Sequence, residues 1–195
     1  MGSKVSTPIV PPPPPPPPPE EKWKLRQERT LVSVIGDNTV GKSALVTHFV
    51  YHRFNNKYVH TTMYSDESTK EISDGLTHSI DFKSYGGTCD DYKNFGTQLT
   101  ASNIIILMFD LTSKASFDNA IMLYDAYVRP TIHTAIPILL VGNKADLPKR
   151  VTCEEANSMS RTLLIPYIEI SVKTHQNLDK IKEAILNSNR VRITK

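Results

Sequence analysis

Short apolar runs and amphipathic stretches alternate along this chain at a spacing that predicts strand and helix in turn. Thr30-Leu31-Val32-Ser33-Val34-Ile35 is almost unbroken in apolar and β-branched residues and predicts a buried strand at about 30–35. After a glycine-containing break, Ala44-Leu45-Val46-Thr47-His48-Phe49-Val50 predicts a helix with one apolar face, running to about Tyr51. Two strands are predicted at about 66–73 and 76–84, joined by the hairpin signal Asp74-Gly75. A short helix ending near Thr100 precedes the run Asn103 to Asp110, whose Ile-Ile-Ile-Leu-Met-Phe centre has no polar face and predicts a strand buried on both sides. A helix from about Ser116 to Val128 and the apolar run Ile136 to Gly142 come next. A helix at about 152–163, a strand at 166–170 and a helix at about 177–188 complete the pattern. Thr152 and Glu155 have the spacing of a capping box for the first of these helices. The alternation implies an α/β fold with a mostly parallel sheet, helices on both faces, and a ligand at the carboxyl ends of the strands.

The break after the first strand carries chemistry. Gly36-Asp37-Asn38-Thr39-Val40-Gly41-Lys42-Ser43 fits the pattern G-x-x-x-x-G-K-[ST] and lies between a predicted strand and a predicted helix, Ala44 onward. A tight glycine loop running into a helix N-terminus aims backbone amides at an anion, and the helix dipole favours it. Lys42 is placed for the β- and γ-phosphates, and the Ser43 hydroxyl for Mg²⁺.

A second motif specifies the base. Asn143-Lys144-Ala145-Asp146 follows the run Ile136 to Gly142 and matches the N-K-x-D pattern of guanine-specific NTPases. A carboxylate at Asp146 can accept two N–H bonds from the guanine N1 and exocyclic amine. Adenine lacks that donor pair and would leave a buried carboxylate unpaired, the strong kind of discrimination. Asn143 can hold the loop and reach the purine N7, and the Lys144 stem can lie across the base.

With these residues the chain resembles the Ras superfamily of small GTPases over roughly residues 29–188. The resemblance implies a P-loop NTPase-type, mostly parallel six-stranded sheet with helices on both faces, binding GTP/GDP with Mg²⁺. Ser171-Val172-Lys173 is similar to the third base-binding element, usually S-A-K, in which the middle residue offers its N–H to the guanine carbonyl. Phe54 matches an aromatic that packs on the guanine edge, and Tyr58 a tyrosine of switch I. Thr61 falls at the spacing of the switch I threonine, which ligates Mg²⁺ and contacts the γ-phosphate only in the triphosphate state. Switch II departs from the pattern. D-x-x-G becomes Ser84-Tyr85-Gly86-Gly87, and the glutamine that follows it in many members is Thr88. Gly87 keeps the N–H for the γ-phosphate, and Thr61 and Gly87 together would clamp it. Ser84 is neutral where an acid holds a Mg²⁺-bound water, and Thr88 is too short to orient the attacking water as glutamine does. Asn38 stands where Ras-like members usually have glycine and crowds the same place. The resemblance assigns the catalytic step to Thr88, Thr61 and Lys42 and implies a switch with slow hydrolysis, or alternatively a non-hydrolysing nucleotide-bound adaptor. It also implies effector and regulator proteins at switches I and II. The branch stays open: Gly36-Asp37 is Rho-like, no room exists for a Rho insert between Asp146 and Ser171, and Phe109-Asp110-Leu111-Thr112 with Ser116-Phe117 looks more like Rab or Ras.

Composition adds the ends. The organisation read here is a segment at 1–19 that does not fold, a charged leader at 20–28, a nucleotide-binding domain at 29–190 and a short basic tail at 191–195. Pro11 through Pro19 are nine consecutive prolines, a polyproline II rod of roughly 28 Å at ~3.1 Å per residue. It is either a spacer or a ligand for SH3, WW, EVH1 or profilin-type aromatic grooves. Met1-Gly2-Ser3-Lys4-Val5-Ser6 fits the N-myristoylation pattern at Gly2, whereas Arg190 to Lys195 offers no cysteine for prenylation. One acyl chain gives only marginal binding, so membrane association is expected to be reversible. A net charge of +3 with no basic-aromatic patch does not argue for nucleic acid. Cys89 and Cys153 are expected as free thiols in a reducing cytosol, and the six histidines have no zinc spacing. A cytoplasmic monomer, or one on the cytoplasmic face of a membrane, is the expectation.

Overall fold

A computed structural model describes residues 27–52, 54, 64–73, 76–85, 95–131 and 136–188. The polyproline segment, Gly2, Tyr58, Thr61, the Asp74-Gly75 turn, Gly87, Thr88 and Cys89 lie outside the described residues.

The order is β1 (Gln27–Gly36), α1 (Lys42–Tyr51), β2 (Tyr64–Ser73), β3 (Leu76–Tyr85), α2 (Phe95–Thr100), β4 (Ile104–Asp110) and α3 (Lys114–Leu123). After α3 come a π-helical turn (Tyr124–Val128), a last turn α4 (Arg129–Thr131), β5 (Ile138–Asn143), α5 (Cys153–Leu163), β6 (Tyr167–Glu169) and α6 (Leu178–Ser188). One six-stranded sheet has the order β2-β3-β1-β4-β5-β6. Only β2 against β3 is antiparallel; the other four pairings are parallel. The expected fold class is what forms.

Strand β4 shows why the sheet sits between two helical layers. Ile104, Ile106 and Met108 join the core built with Leu45, Val46 and Phe49 of α1 and Ile181 and Ile185 of α6. Ile105, Leu107 and Phe109 join the opposite core, with Leu99 of α2, Phe117 and Ala120 of α3, and Ala156 of α5. The two-residue period of a strand sends an unbroken apolar run to both faces at once.

Three of the departures from the sequence reading have a plain physical cause. β1 starts at Gln27, inside the expected charged leader, because its ladder with β3 runs from Gln27↔Thr77 to Val34↔Ser84. Its polar start finds partners there: Arg29 donates to Asp81, and Glu28 lies 3.7 Å from His78 Nδ1. The helix expected to be continuous to Val128 widens at Tyr124–Val128, where the Arg129 N–H bonds the carbonyl of Tyr124, five residues back. Pro130 follows; its ring would clash with a carbonyl four residues earlier, and the wider turn relieves that. β5 starts at Ile138, since Pro137 has no N–H to give the ladder. The capping box forms as read: the Thr152 side chain accepts from Glu155 N, and the Glu155 carboxylate accepts from Thr152 N at 2.9 Å. Lys114 and these Thr152 bonds hold the Glu155 carboxyl down at about 2.

Candidate functional site

Because four pairings are parallel, β1, β3, β4, β5 and β6 all end on one edge of the sheet. The registers Val34↔Ser84, Gly36↔Met108 and Asp110↔Asn143 put Ser84, Gly36, Asp110 and Asn143 there together.

The loop after β1 exists in this shape only because of its two glycines. Gly36 has φ 149°, and a Cβ on it would meet the Met108 carbonyl oxygen at 2.1 Å. Gly41 has φ 103°, and a Cβ there would meet Asn143 Nδ2 at 2.3 Å. Thr39 adopts left-handed φ as well, at 62°. Gly41 is also the N-cap of α1, and no side chain caps that end. A glycine N-cap brings no side chain to that first turn, a geometry that suits an anion. Lys42 is buried and folds back on the loop, its Nζ donating to the carbonyls of Gly36 at 2.9 Å and Asp37 at 2.6 Å. Burial pushes the Lys42 amine down to about 8, with the Asp37 carboxylate partly offsetting it. Two of its three protons are spent on the loop, leaving one for a ligand. Val40 is buried, Ser43 half-buried in the first turn of α1, and Ala44 packs on the core.

Asn143 joins this cradle to the second loop. Its Nδ2 donates to the Val40 carbonyl at 2.8 Å, and its Oδ1 accepts from Val172 N at 3.2 Å. The Val172 N–H, which the resemblance offers to a guanine carbonyl, is thus engaged by Asn143 here. Asp146 Oδ1 accepts from the Ser171 hydroxyl at 2.7 Å, and Lys173 Nζ stands 3.9 Å from Asp146 Oδ2. Ser171 Oγ in turn accepts from Thr174 N at 3.1 Å. Lys144 has left-handed φ, 66°, and its Nζ donates to Asp110 Oδ2 at 2.6 Å. Phe54 is half-buried and packs on the α1 side of the core.

The structure thus brings together Gly36 through Ala44 with Asn143, Lys144, Asp146, Ser171, Val172 and Lys173. Two residues outside the sequence prediction join them. Asp110, the end of β4, holds Lys144, and Asn119 of α3 donates to Asp37 Oδ2 at 2.8 Å. A carboxylate closing an apolar strand was the available signal for Asp110; Asn119 has none in the sequence.

The cradle left open by its glycines and uncapped helix fits a polyphosphate, and a half-buried carboxylate beside it fits a base with an N–H pair. Ser84 is fully buried, and among the described residues its Oγ has no hydrogen-bond partner. Among the described residues no three of His, Cys, Asp or Glu cluster as metal ligands.

This sheet order, with a glycine phosphate loop after β1 and Asn-Lys-x-Asp after β5, defines a P-loop nucleotide-binding protein of the small-GTPase class. Comparison with known proteins gives the family. The Ras family sequence model matches residues 31–190. Ras-related protein Ral-a of Drosophila melanogaster is 30% identical over 165 residues, 84% of this chain and 82% of the relative. Ras-related protein O-RAL of Diplobatis ommata is 33% identical over 153 residues, 77% of this chain and 74% of the relative. Ras-like protein 2 of Drosophila melanogaster is 33% identical over 151 residues, 75% of this chain and 77% of the relative. The chain belongs to the Ras family.

Proposed function

We propose that this Ras-family chain is a guanine-nucleotide switch that turns GTP over slowly. The observation that carries the reading is the Asn143 clasp: one buried side chain ties the phosphate loop at Val40 to the Ser171-Val172 loop beside Asp146. Phosphate cradle and base reader are thereby built as one object. In this reading Lys42 and the loop amides hold the phosphates, Asp146 reads guanine, and Phe54 covers its edge. Ser43 and Thr61 would hold Mg²⁺, which supplies charge neutralisation at the phosphates. Tyr58, Thr61 and Gly87 would present the nucleotide state to effector and regulator proteins. Purified protein denatured and chromatographed should release near-stoichiometric GDP or GTP. Release of adenine nucleotide, or of none after loading with GTP, overturns the reading.

Slow turnover rests on Ser84, Thr88 and Asn38. Ser84 Oγ, buried and without a partner among the described residues, brings no charge to a metal-bound water. Single-turnover hydrolysis is expected below about 10⁻⁴ s⁻¹, slower than small GTPases without an activator. Ser84→Asp should make nucleotide retention depend on Mg²⁺, so that EDTA speeds release of GDP by about tenfold or more over its effect on wild type. An identical EDTA response in both proteins contradicts this role for Ser84. The same observation favours a second reading, a nucleotide-bound adaptor that does not hydrolyse; a normal small-GTPase rate sinks it.

The N-terminus extends the proposal. An acylated Gly2 would tether the chain reversibly to a cytoplasmic membrane face, and the proline rod would offer a pre-ordered ligand to an aromatic groove. The two weak contacts would reinforce each other through local concentration. Gly2→Ala should lose membrane association on fractionation, and deletion of residues 8–19 should lose pull-down by profilin, EVH1, WW or SH3 modules. Retained membrane association in the first refutes the tether; unchanged capture in the second leaves the prolines as a spacer.

A further inference from the structure

The phosphate loop carries a negative charge at the mouth of an anion site. Asp37 is the first residue inside the glycine loop, and a free carboxylate there would repel a polyphosphate and pull the loop out of shape. Both of its oxygens are tied. Oδ1 accepts from the Asn38 backbone N–H at 2.6 Å, and Oδ2 accepts from Asn119 Nδ2 at 2.8 Å. The Asp37 carbonyl meanwhile accepts from Lys42 Nζ at 2.6 Å. One residue thus sets the direction of the Asn38 amide and of the Lys42 ammonium, and one side chain from a distant helix fixes that residue.

Asn119 is itself held in place. Its helix neighbours Phe117 and Ala120 are buried under the sheet. One turn earlier, Ser116 joins α3 to the end of β4. Its oxygen accepts from Asp110 N at 3.0 Å, and its single O–H is shared between the Ser113 carbonyl at 2.8 Å and the Asp110 carbonyl at 3.2 Å. Asp110 also receives Lys144 of the base loop. The path Lys144–Asp110–Ser116–Asn119–Asp37 therefore runs from the base-reading loop through α3 to the phosphate loop.

We propose that Asn119 is a positioning residue of the nucleotide site, a strut that turns the Asp37 carboxylate onto α3 and so holds the phosphate loop in its binding form. The inference rests on the guanine-nucleotide reading above and adds α3 to the elements that control release.

The test measures GDP release from the full chain, using a fluorescent GDP displaced by excess GDP. Asn119→Ala should release GDP roughly tenfold faster, the factor that loss of one charge-assisted hydrogen bond commands. Asp37→Ala should also be fast, and the double variant no faster than the faster single, because both remove one interaction. Exchanging the partners, Asp37→Asn with Asn119→Asp, restores a bond between the same two positions and should return the rate to within about threefold of wild type. A merely structural loss would not be rescued by that exchange. Wild-type release in Asn119→Ala, multiplying effects in the double variant, or failure of the exchange to rescue overturns the proposal. Failure of the guanine reading itself shows separately, as absence of GDP binding by wild type. The Asn38 amide proton, read by NMR without nucleotide, still decides in that event. Its short bond to Asp37 places it downfield; an upfield move in Asn119→Ala supports the strut, and an unmoved resonance removes it.

Discussion

Asp146→Asn is expected to exchange guanine for xanthine specificity, with GTP affinity falling by a factor on the order of 10⁴ and xanthosine triphosphate gaining what GTP loses. The Asp146 carboxylate is 13% exposed, and Ser171 binds one of its oxygens. Among the described residues its other oxygen has Lys173 Nζ at 3.9 Å, so its remaining lone pairs suit the two N–H groups on one edge of guanine. An asparagine amide puts two protons on one side of that acceptor and sets N–H against N–H. Xanthine carries a carbonyl where guanine has its amine, so the amide then finds an acceptor. The fold should tolerate the change, since Asn can keep its oxygen toward the Ser171 hydroxyl. Competition binding of GTP, xanthosine triphosphate and ATP to both proteins, with thermal melts as a folding control, checks it. Unchanged GTP affinity in a folded variant means that Asp146 does not read the base.

Asn143→Ala carries the second large effect, on stability and on binding together. Asn143 is 3% exposed and its side chain closes two bonds, to the Val40 carbonyl and from Val172 N. Truncation leaves both backbone groups buried and unpaired, at about 1–3 kcal/mol each, so a loss of roughly 2–5 kcal/mol in unfolding free energy is expected. It also opens space against Gly41, whose hydrogen faces the Asn143 amide. The phosphate loop and the Ser171-Val172 loop then move independently, and nucleotide release should accelerate by far more than in any single-contact variant. Asn143→Asp is the sharper companion. It keeps an acceptor for Val172 N but sets a carboxylate oxygen against the Val40 carbonyl, so it should fail nearly as badly. Urea unfolding with and without GDP separates the two effects. A loss under about 1 kcal/mol with unchanged GDP retention shows that Asn143 is not the clasp.

Both predictions concern residues that are legible in the sequence itself. The glycines, Lys42 and Ser43 are fixed by backbone demands within eight positions, and Asn143 to Asp146 by the chemistry of one base. The Thr152–Glu155 capping box was legible for the same reason: its bonds close within a single turn. The double-sided burial of β4 followed from a run with no polar residue between Ile104 and Phe109.

What tertiary structure alone decided are the pairings between distant positions. Asn119 and Asp37 are 82 residues apart, and Lys144 and Asp110 are 34 apart. In the sequence Asn119 is one more polar residue on an amphipathic helix, indistinguishable from a solvated one. Its role appears only when the strand order sets α3 beside the loop after β1. The same holds for the start of β1, which its partner β3 extends into a charged segment, and for the Val172 N–H, which Asn143 takes. Local backbone requirements and hydrophobic period are written in consecutive residues, so the sequence determined the elements, the phosphate loop and the base reader. A polar side chain's partner depends on register and layer order, which are global properties, so the fold decided which of them became one site.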